Sequence, residues 1–360
     1  MAAVANASAS DLPWSVLKMV EMNGSAGGGG RVPNCFIRPV EEAASHSTSL
    51  DLRVPVVDMN TFKGSTKTQA LQQLASACES WGFFQLSNHG VPNHLIQQTL
   101  QLSRQFFELP FEEKQKYVID PDCNTDGYGR VNIKSSENDL LDWGDSFVAE
   151  YSPASSRNFD KWPMEPAAFR KVVSAYCDEI EKLSHELFSL FEEALGLPPA
   201  YIREVCGEHG LQFGINYYPS CPQPDLVLGL SAHSDNVPII TILIQDEAGL
   251  QVRKDGKWVQ VDAIPNHIVV NIADQLEVIS NGRFKSVVHR VAVNSLKSRL
   301  SFSIFYKPEI GAQIAPAPQL LDELHPALYE ERTFSGVSPY AQTRLQEQES
   351  LEKIRLSSRK

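Results

Sequence analysis

The spacing of apolar residues divides the chain into a first part with helical period and a second part with strand period. Helical spacing marks three segments, at about residues 68–80, 92–108 and 166–195. In the first of them, Leu71, Leu74 and Cys78 fall on one face, which predicts an amphipathic helix. Two short apolar runs predict strands, at residues 54–59 and 83–86.

After Leu211 the apolar residues form short runs that are typical of strands. Four of these runs lie at residues 239–244, 267–272, 287–293 and 299–306. The dipeptides Asp255-Gly256 and Asn281-Gly282 are typical of tight turns and predict two hairpins. The second hairpin would join a strand at 276–279 to a strand at Phe284. Many short strands separated by glycine turns favour a sandwich, a barrel or a jelly roll.

These patterns predict four parts along the chain. Residues 1–50, with a glycine-rich stretch, are predicted to be a flexible N-terminal segment. Residues 51–200 form a helical and mixed region, in which 118–165 show no sustained period and are predicted to cover a functional site. Residues 201–335 form the β domain, and residues 336–360 a helical tail.

Composition and charge narrow the functional classes. The formal net charge of −12 argues against a broad surface for nucleic acid or anionic membranes. The six cysteines include no C-x-x-C pair, which indicates reduced thiols rather than a disulfide framework. No signal-peptide pattern precedes the first predicted element. We therefore expect a cytoplasmic protein, and a monomer, since no interface pattern is visible.

A histidine and an aspartate two positions apart, His233 and Asp235, are candidate metal ligands. In a strand such residues share a face, so both side chains can reach one ion. With 9 histidines and 44 acidic residues, about one such spacing is expected by chance, so the pair alone carries little weight. His289, in a later predicted strand, is a natural third ligand. Two histidines and one carboxylate suit non-haem Fe(II) with open coordination positions.

Arg299 and Ser301 suggest an anion site near these ligands. Both fall in a predicted core strand, and a buried arginine needs an anion. The planar guanidinium matches a carboxylate in bidentate fashion. Ser301, on the same face, can add a hydrogen bond.

Together these residues resemble the plant-type Fe(II)- and 2-oxoglutarate-dependent dioxygenases, and the resemblance covers roughly residues 50 to 335. The matching motifs are Trp81-Gly-Phe-Phe, Asn88-His-Gly-Val, Gly127-Tyr-Gly, Leu141-Asp-Trp, Asn216-Tyr-Tyr-Pro, His233-x-Asp235, Leu276-Glu-Val-Ile-Ser-Asn-Gly, His289-Arg-Val and Arg299-x-Ser301. Each motif is short, but the set is specific.

The resemblance implies an α+β fold with a mainly β core, a double-stranded β-helix (a cupin-like jelly roll) with the N-terminal helical region packed on it. It implies that His233, Asp235 and His289 bind Fe(II), and that 2-oxoglutarate is the cosubstrate. Arg299 and Ser301 would hold the far carboxylate of 2-oxoglutarate, with Tyr218 and Asn216 nearby. The implied reaction consumes O2, releases succinate and CO2, and uses ascorbate as reductant.

Five further residues are candidates for substrate contact. The aromatic residues Phe305, Phe147 and Tyr128 could stack on a flat substrate, although core packing explains them equally well. Lys307 and Arg130 could bind a substrate carboxylate. The resemblance implies hydroxylation or desaturation of a small plant metabolite, and an aromatic-lined pocket points first to a flavanone-type flavonoid.

Other functions remain open at this point. Rival substrates are gibberellin- or jasmonate-like acids and alkaloids that undergo O-demethylation. An oxidase of the ethylene-forming type would use the same iron without 2-oxoglutarate. A non-catalytic metabolite-binding protein on the same fold would not need its triad intact.

Overall fold

The computed structural model describes residues 15–25, 31–42, 52–119, 126–130, 140–336 and 349–356. The helices of this part are α1 Val16–Ser25, α2 Lys67–Ser80, α3 Asn93–Glu108, α4 Phe111–Gln115, α5 Phe169–Leu195, α6 Tyr201–Cys206, α7 Asp274–Ile279 and α8 Glu349–Ile354. Short 3-10 turns lie at Asn34–Phe36, Met59–Phe62, Gly64–Thr66, Phe159–Lys161, Pro224–Leu226 and Pro318–Leu320.

The strands form two facing sheets and a small ribbon. The strands are β1 Val56–Asp58, β2 Phe83–Ser87, β3 Gly127–Arg130, β4 Asp145–Ser152, β5 Gly210–Tyr218, β6 Leu230–His233, β7 Ile240–Gln245, β8 Leu250–Lys254, β9 Lys257–Gln260, β10 Ile268–Ile272, β11 His289–Val291, β12 Arg299–Lys307, β13 Gln313–Ile314 and β14 Arg332–Thr333. Eight of them form the major sheet in the order β1-β2-β10-β7-β12-β5-β4-β3, and four form the minor sheet in the order β6-β11-β8-β9. The last two strands pair as the ribbon. This two-sheet architecture confirms the predicted α+β fold with a jelly-roll core.

The two faces of the major sheet differ in chemistry. Along β12, Ser301 points to one face and Phe302 to the other, because side chains alternate along a strand. Phe302 packs against Tyr176 of α5 and stacks on Phe213, so its face meets the helices. We call this the helix face and the opposite one, which carries Ser301, the inner face. The main hydrophobic core fills the space between the helix face and α2, α3 and α5.

The long helix α5 buries the predicted apolar stripe and ends at a left-handed glycine. Gly196 adopts a left-handed conformation with φ 75°, and its N–H contacts the carbonyl oxygens of Glu192 and Glu193. The buried side of α5 includes Val173, Ile180 and Leu187. This helix thereby holds the helix face of β12 and β5 in place.

Two described stretches within residues 1–50, 15–25 and 31–42, contact the sheet. In the described part, the Ser15 hydroxyl donates to Asp145 Oδ2 at 2.6 Å, and the Val16 amide donates to Asp145 Oδ1 at 2.6 Å. Further along, the Arg38 guanidinium pairs with Asp142. These contacts dock residues 15–25 and 31–42 on the sheet beside β4. The sequence predicts a flexible segment over 1–50. These two stretches have packing partners, and the rest of that segment lies outside the described residues.

The expected strand at 276–279 is helical instead, and forms α7. Asn281 and Gly282 both have positive φ, 49° and 74°. A type I′ hairpin and the end of a helix both use this conformation, so the dipeptide predicts either. Here the Gly282 amide donates to the Glu277 carbonyl and ends the helix.

In the stretch 118–165, where the sequence predicts a cover, the described residues include β3 and β4, which extend the major sheet at one edge. Residues 120–125 and 131–139 lie outside the described residues. Of the predicted tail, the structure describes a helix at Glu349–Ile354. Among the helices of the described ranges, none combines the length and apolar content that crossing a membrane requires.

Candidate metal centre and cosubstrate site

His233, Asp235 and His289 converge between the two sheets. His233 ends β6 and His289 begins β11, and the two residues are directly paired across these strands. Asp235 Oδ1 lies 3.6 Å from His233 Nε2 and 3.7 Å from His289 Nε2. One ligand atom from each residue thus lies within 4.8 Å of the others, as binding to a common ion requires.

Backbone carbonyls fix the tautomer of both imidazoles. His233 Nδ1 lies 2.8 Å from the Ser231 carbonyl oxygen, and His289 Nδ1 lies 3.1 Å from that of Val287. A carbonyl oxygen only accepts hydrogen bonds, so each Nδ1 carries the proton. Each Nε2 is then a lone-pair donor that faces Asp235, which is the arrangement of a metal-binding histidine.

Two polar side chains hold the other carboxylate oxygen of Asp235. Oδ2 accepts hydrogen bonds from Thr241 Oγ1 at 2.6 Å and from Asn271 Nδ2 at 2.8 Å. Burial opposes the charged form of Asp235, but in the metal-free protein the attraction of the two imidazoles when protonated, together with these donors, outweighs it, so the pKa of Asp235 lies below its ordinary value. Asp235 is therefore an oriented carboxylate anion.

Thr241→Val tests whether the hydrogen bond from Thr241 orients the Asp235 carboxylate. Loss of the hydrogen bond frees the Asp235 carboxylate to rotate, and we expect the affinity for Fe(II) to fall by about 10- to 100-fold. Anaerobic titration with Fe(II) measures the change, and Thr241→Ser, which keeps the hydroxyl, is the matched control. Equal affinity in the Val variant and the unaltered protein would show that Thr241 does not position the carboxylate.

The donor set of this centre fits Fe(II). It offers two neutral imidazoles and one carboxylate on one side, without a thiolate, and so leaves positions for further oxygen ligands. The Phe83 ring packs edge-on against His289, with ring centroids 5.2 Å apart, and closes the site on the side of β2. Fe(II) bound here would be shielded on that side.

Arg299 lies buried on the inner face of β12. Its Nη2 donates to Gln245 Oε1 at 2.8 Å, its Nε donates to the Glu247 carbonyl at 3.1 Å, and its Nη1 lies 3.4 Å from Ser301 Oγ. In the part of the chain that the structure describes, no carboxylate lies within 4 Å of this guanidinium. Burial lowers its pKa, and Tyr218 and Asp246 oppose that effect. A buried cation without a bonded carboxylate is suited to an anionic ligand.

The register of β5 places the other two predicted cosubstrate residues beside Arg299. Tyr218 is paired with Arg299, and Asn216 with Ser301. Burial raises the pKa of Tyr218 to about 12, so its hydroxyl is protonated at neutral pH and can donate a hydrogen bond. Gly249 packs so closely that an added Cβ would lie 2.7 Å from Arg299 Cδ.

Two family models match this chain, one over its helical region and one over its β domain. The family model described as non-haem dioxygenase in morphine synthesis N-terminal matches residues 54–165, and that of the 2OG-Fe(II) oxygenase superfamily matches residues 210–308. Jasmonate-induced oxygenase 4 of Arabidopsis thaliana is 42% identical over 307 residues, 83% of this chain and 85% of the relative. The chain belongs to the plant 2OG-Fe(II) oxygenases.

Two further similarities bear on this oxygenase. Flavanone 3-dioxygenase 2 of Oryza sativa subsp. japonica is 35% identical over 309 residues, 84% of this chain and 88% of the relative. The solved structure of JOX2 in complex with 2OG, Fe and JA aligns over 95% of this chain and 98% of that chain, with a TM-score of 0.86 and 33% identity. The family and the intact triad make this oxygenase a 2-oxoglutarate-dependent dioxygenase that uses Fe(II) and acts on a plant metabolite.

Phe305 and Lys307 of this oxygenase lie on the inner face, further along β12 from Arg299. Phe305 is paired with Thr241, the residue that donates to Asp235. Its ring also lies against Gly214, where an added Cβ would be 3.1 Å from Phe305 Cε2. Lys307 Nζ pairs with Glu150 Oε1 at 2.6 Å. Phe305 therefore lies beside the metal centre on the inner face, and Lys307 lies two residues further along the strand.

Phe147 and Tyr128, two of the predicted substrate contacts, are buried on the helix face and not on the inner face that carries Ser301. Phe147 is paired with Ile215 of β5 and packs on Phe106 of α3, which places it on the helix face. Tyr128 is paired with Phe147, and both side chains are fully buried. Alternation along β3 and β4 places these two side chains on the face opposite the triad. The Arg130 side chain lies outside the described residues.

Several residues of the site were not predicted from the sequence. Thr241 and Asn271 position Asp235, and Gln245 holds Arg299. A sequence signal for the first two exists, because each is a polar residue that interrupts an apolar run, at 239–244 and at 268–272.

Proposed function

We propose that this oxygenase hydroxylates a small carboxylic acid of the jasmonate type, a plant hormone class. The observation that carries the proposal is the similarity to JOX2, whose solved structure contains 2OG, Fe and JA. Jasmonate-induced oxygenase 4, whose name links it to jasmonate by induction, is 42% identical, compared with 35% for the flavanone dioxygenase. The flavanone expected from the sequence therefore becomes the second candidate.

In this proposal the inner face is divided between metal, cosubstrate and substrate. His233, Asp235 and His289 bind Fe(II). Bound Fe(II) with 2-oxoglutarate and O2 supplies the oxidising chemistry that inserts oxygen into a C–H bond. Arg299 is the cation for the distal carboxylate of 2-oxoglutarate, and Ser301, Tyr218 and Asn216 surround the same end.

Substrate would lie beyond the cosubstrate along β12, against Phe305. Phe305 can pack on an apolar ring, since it stands opposite Thr241 and therefore close to Asp235. At the end of β12, the Lys307 ammonium is available to an acidic group if that group displaces Glu150. Gln212 Nε2 also donates to Glu150 Oε1, at 2.7 Å, so Glu150 keeps a partner after such an exchange.

A comparison of three substrates tests the proposal. Purified enzyme with Fe(II), 2-oxoglutarate and ascorbate is given jasmonic acid, its methyl ester or a flavanone, and products are identified by mass spectrometry. We expect a product with one added oxygen atom and the highest kcat/KM for the acid. Faster turnover of the flavanone than of the acid would overturn the substrate class and leave the reaction class standing.

Lys307→Met is expected to affect the acid and its methyl ester differently. A charge-assisted hydrogen bond contributes about 1.5 kcal/mol, so we expect KM for the acid to rise about tenfold. KM for the methyl ester should not change, because the ester carries no charge for Lys307 to bind. Glu150→Gln is the matched control, and it should lower KM for the acid by freeing the ammonium. Equal effects of Lys307→Met on acid and ester would exclude this role.

One observation favours the flavanone as second candidate. Glu150 already pairs with Lys307, so these two side chains together carry no net charge on the inner face. A neutral, flat phenolic would need no cation there and could stack on Phe305. The three-substrate comparison distinguishes the two candidates.

A further inference from the structure

Away from the catalytic centre, Glu181, His185 and His209 form a second group of metal-ligating side chains. Within the described residues, this group and the triad are the sets of three histidine, cysteine or acidic ligands that converge within 4.8 Å. Glu181 and His185 lie one turn apart on α5, and His209 lies between α6 and β5. Helical spacing of i and i+4 places the first two on one face.

The geometry of this group already joins α5 to the start of β5. His209 Nε2 lies 2.7 Å from Glu181 Oε1, and the His185 and His209 rings are 5.5 Å apart, centroid to centroid. All three residues are half-buried, which leaves a side open to water. A tetrahedral ion with bonds of about 2 Å would separate the oxygen and nitrogen by roughly 3.3 Å. The Glu181–His209 pair would therefore open by about half an ångström, which half-exposed side chains can accommodate.

Tyr306 of β12 supports both imidazoles. Its ring stacks on His209, with centroids 4.3 Å apart and planes at 10°, and its hydroxyl lies 3.2 Å from His185 Nε2. Tyr306 itself is buried, so this platform is fixed by the core. Metal-binding histidines are typically held by such outer contacts.

We propose that Glu181, His185 and His209 form a second divalent-metal site, of the kind that binds Zn²⁺, outside the catalytic centre. Two imidazoles, one carboxylate and an open position for water are a common zinc donor set. Burial lowers the pKa of His185, which keeps this imidazole neutral and able to bind metal near pH 7. The His209 contact lowers the pKa of Glu181, which keeps its carboxylate charged.

A metal at this site would clamp α5 to β5 and to Tyr306 of β12. β12 also carries Arg299 and Ser301, so the clamp would stabilise the strand that the cosubstrate site uses. Because a ligand that binds only the folded state stabilises it, zinc should raise the melting temperature. The effect is independent of turnover, which allows the site to be tested without activity.

The test uses the full-length chain with Asp235→Ala, which removes the carboxylate ligand of the catalytic centre. After treatment with a chelator, the protein is incubated with Zn²⁺, dialysed, and examined for zinc content and melting temperature. We expect about one zinc per chain and a higher melting temperature. Absence of bound zinc in this variant would overturn the proposal.

Two additional variants assign the zinc to these residues. Glu181→Gln retains a hydrogen-bond acceptor for His209 but removes the charge, and should weaken zinc binding at least about tenfold. His209→Ala should abolish it, with circular dichroism to confirm the fold. His94→Ala, at an exposed histidine of α3, is the matched control and should retain the zinc. Undiminished zinc in both Glu181→Gln and His209→Ala would also overturn the proposal.

Discussion

Replacing Asp235 with alanine is expected to remove stable Fe(II) binding and to lower kcat/KM by more than about 1000-fold, or about 4 kcal/mol of transition-state stabilisation. Asp235 is the one carboxylate of the triad, and the two histidines are neutral ligands that cannot replace its charge. The substitution also leaves the Thr241 and Asn271 donors facing a space without an acceptor. Iron content after anaerobic loading and succinate formation measure the two effects.

Asp160→Ala is the matched control for this experiment, because Asp160 is an exposed carboxylate in the turn before Trp162. It removes the same charge from the protein and should leave iron content and rate unchanged. If Asp235→Ala retained both iron and turnover, the metal centre would have to lie elsewhere.

Arg299→Gln is expected to raise KM for 2-oxoglutarate by about 100-fold while Fe(II) binding stays intact. The guanidinium is buried, and among the described residues it has no carboxylate partner within 4 Å. Removing one partner of a buried charge pair costs about 2–5 kcal/mol, and about 2.7 kcal/mol corresponds to the expected 100-fold. Glutamine keeps a polar group near Gln245 but cannot bind a carboxylate in bidentate fashion.

Arg253→Gln, on the exposed side of β8, controls for the loss of one positive charge. Titration of 2-oxoglutarate at saturating Fe(II) gives KM for each variant, and iron content shows whether the metal centre is retained. An unchanged KM for 2-oxoglutarate in Arg299→Gln would show that another cation holds the distal carboxylate. A loss of iron would show that the substitution acts through the metal centre instead.

The metal and anion groups could be predicted because they follow from local spacing. His233 and Asp235 share a face through strand alternation, and Arg299 is conspicuous as a cation in an apolar strand. The structure brings these residues together with His289, as the resemblance implied. The family, the fold class and the two cofactors are confirmed.

The features that the sequence could not predict depend on contacts between residues far apart in the chain. Which face Phe147 takes is decided by the register of β4 against β5, which no local pattern contains. The docking of Ser15 on Asp145 joins residues 130 positions apart. The sequence offers Lys307 for a substrate carboxylate and does not indicate its pairing with Glu150, which lies on a different strand.

The measurement that tests the central claim most directly is the stoichiometry of succinate and oxidised product. Enzyme with Fe(II), ascorbate and the best substrate is compared with and without 2-oxoglutarate, and both products are quantified. Equal amounts of succinate and oxidised product, formed only with 2-oxoglutarate and absent in Asp235→Ala, are the predicted result. Oxidised product at the full rate without 2-oxoglutarate would contradict the account and indicate a cosubstrate-independent oxidase.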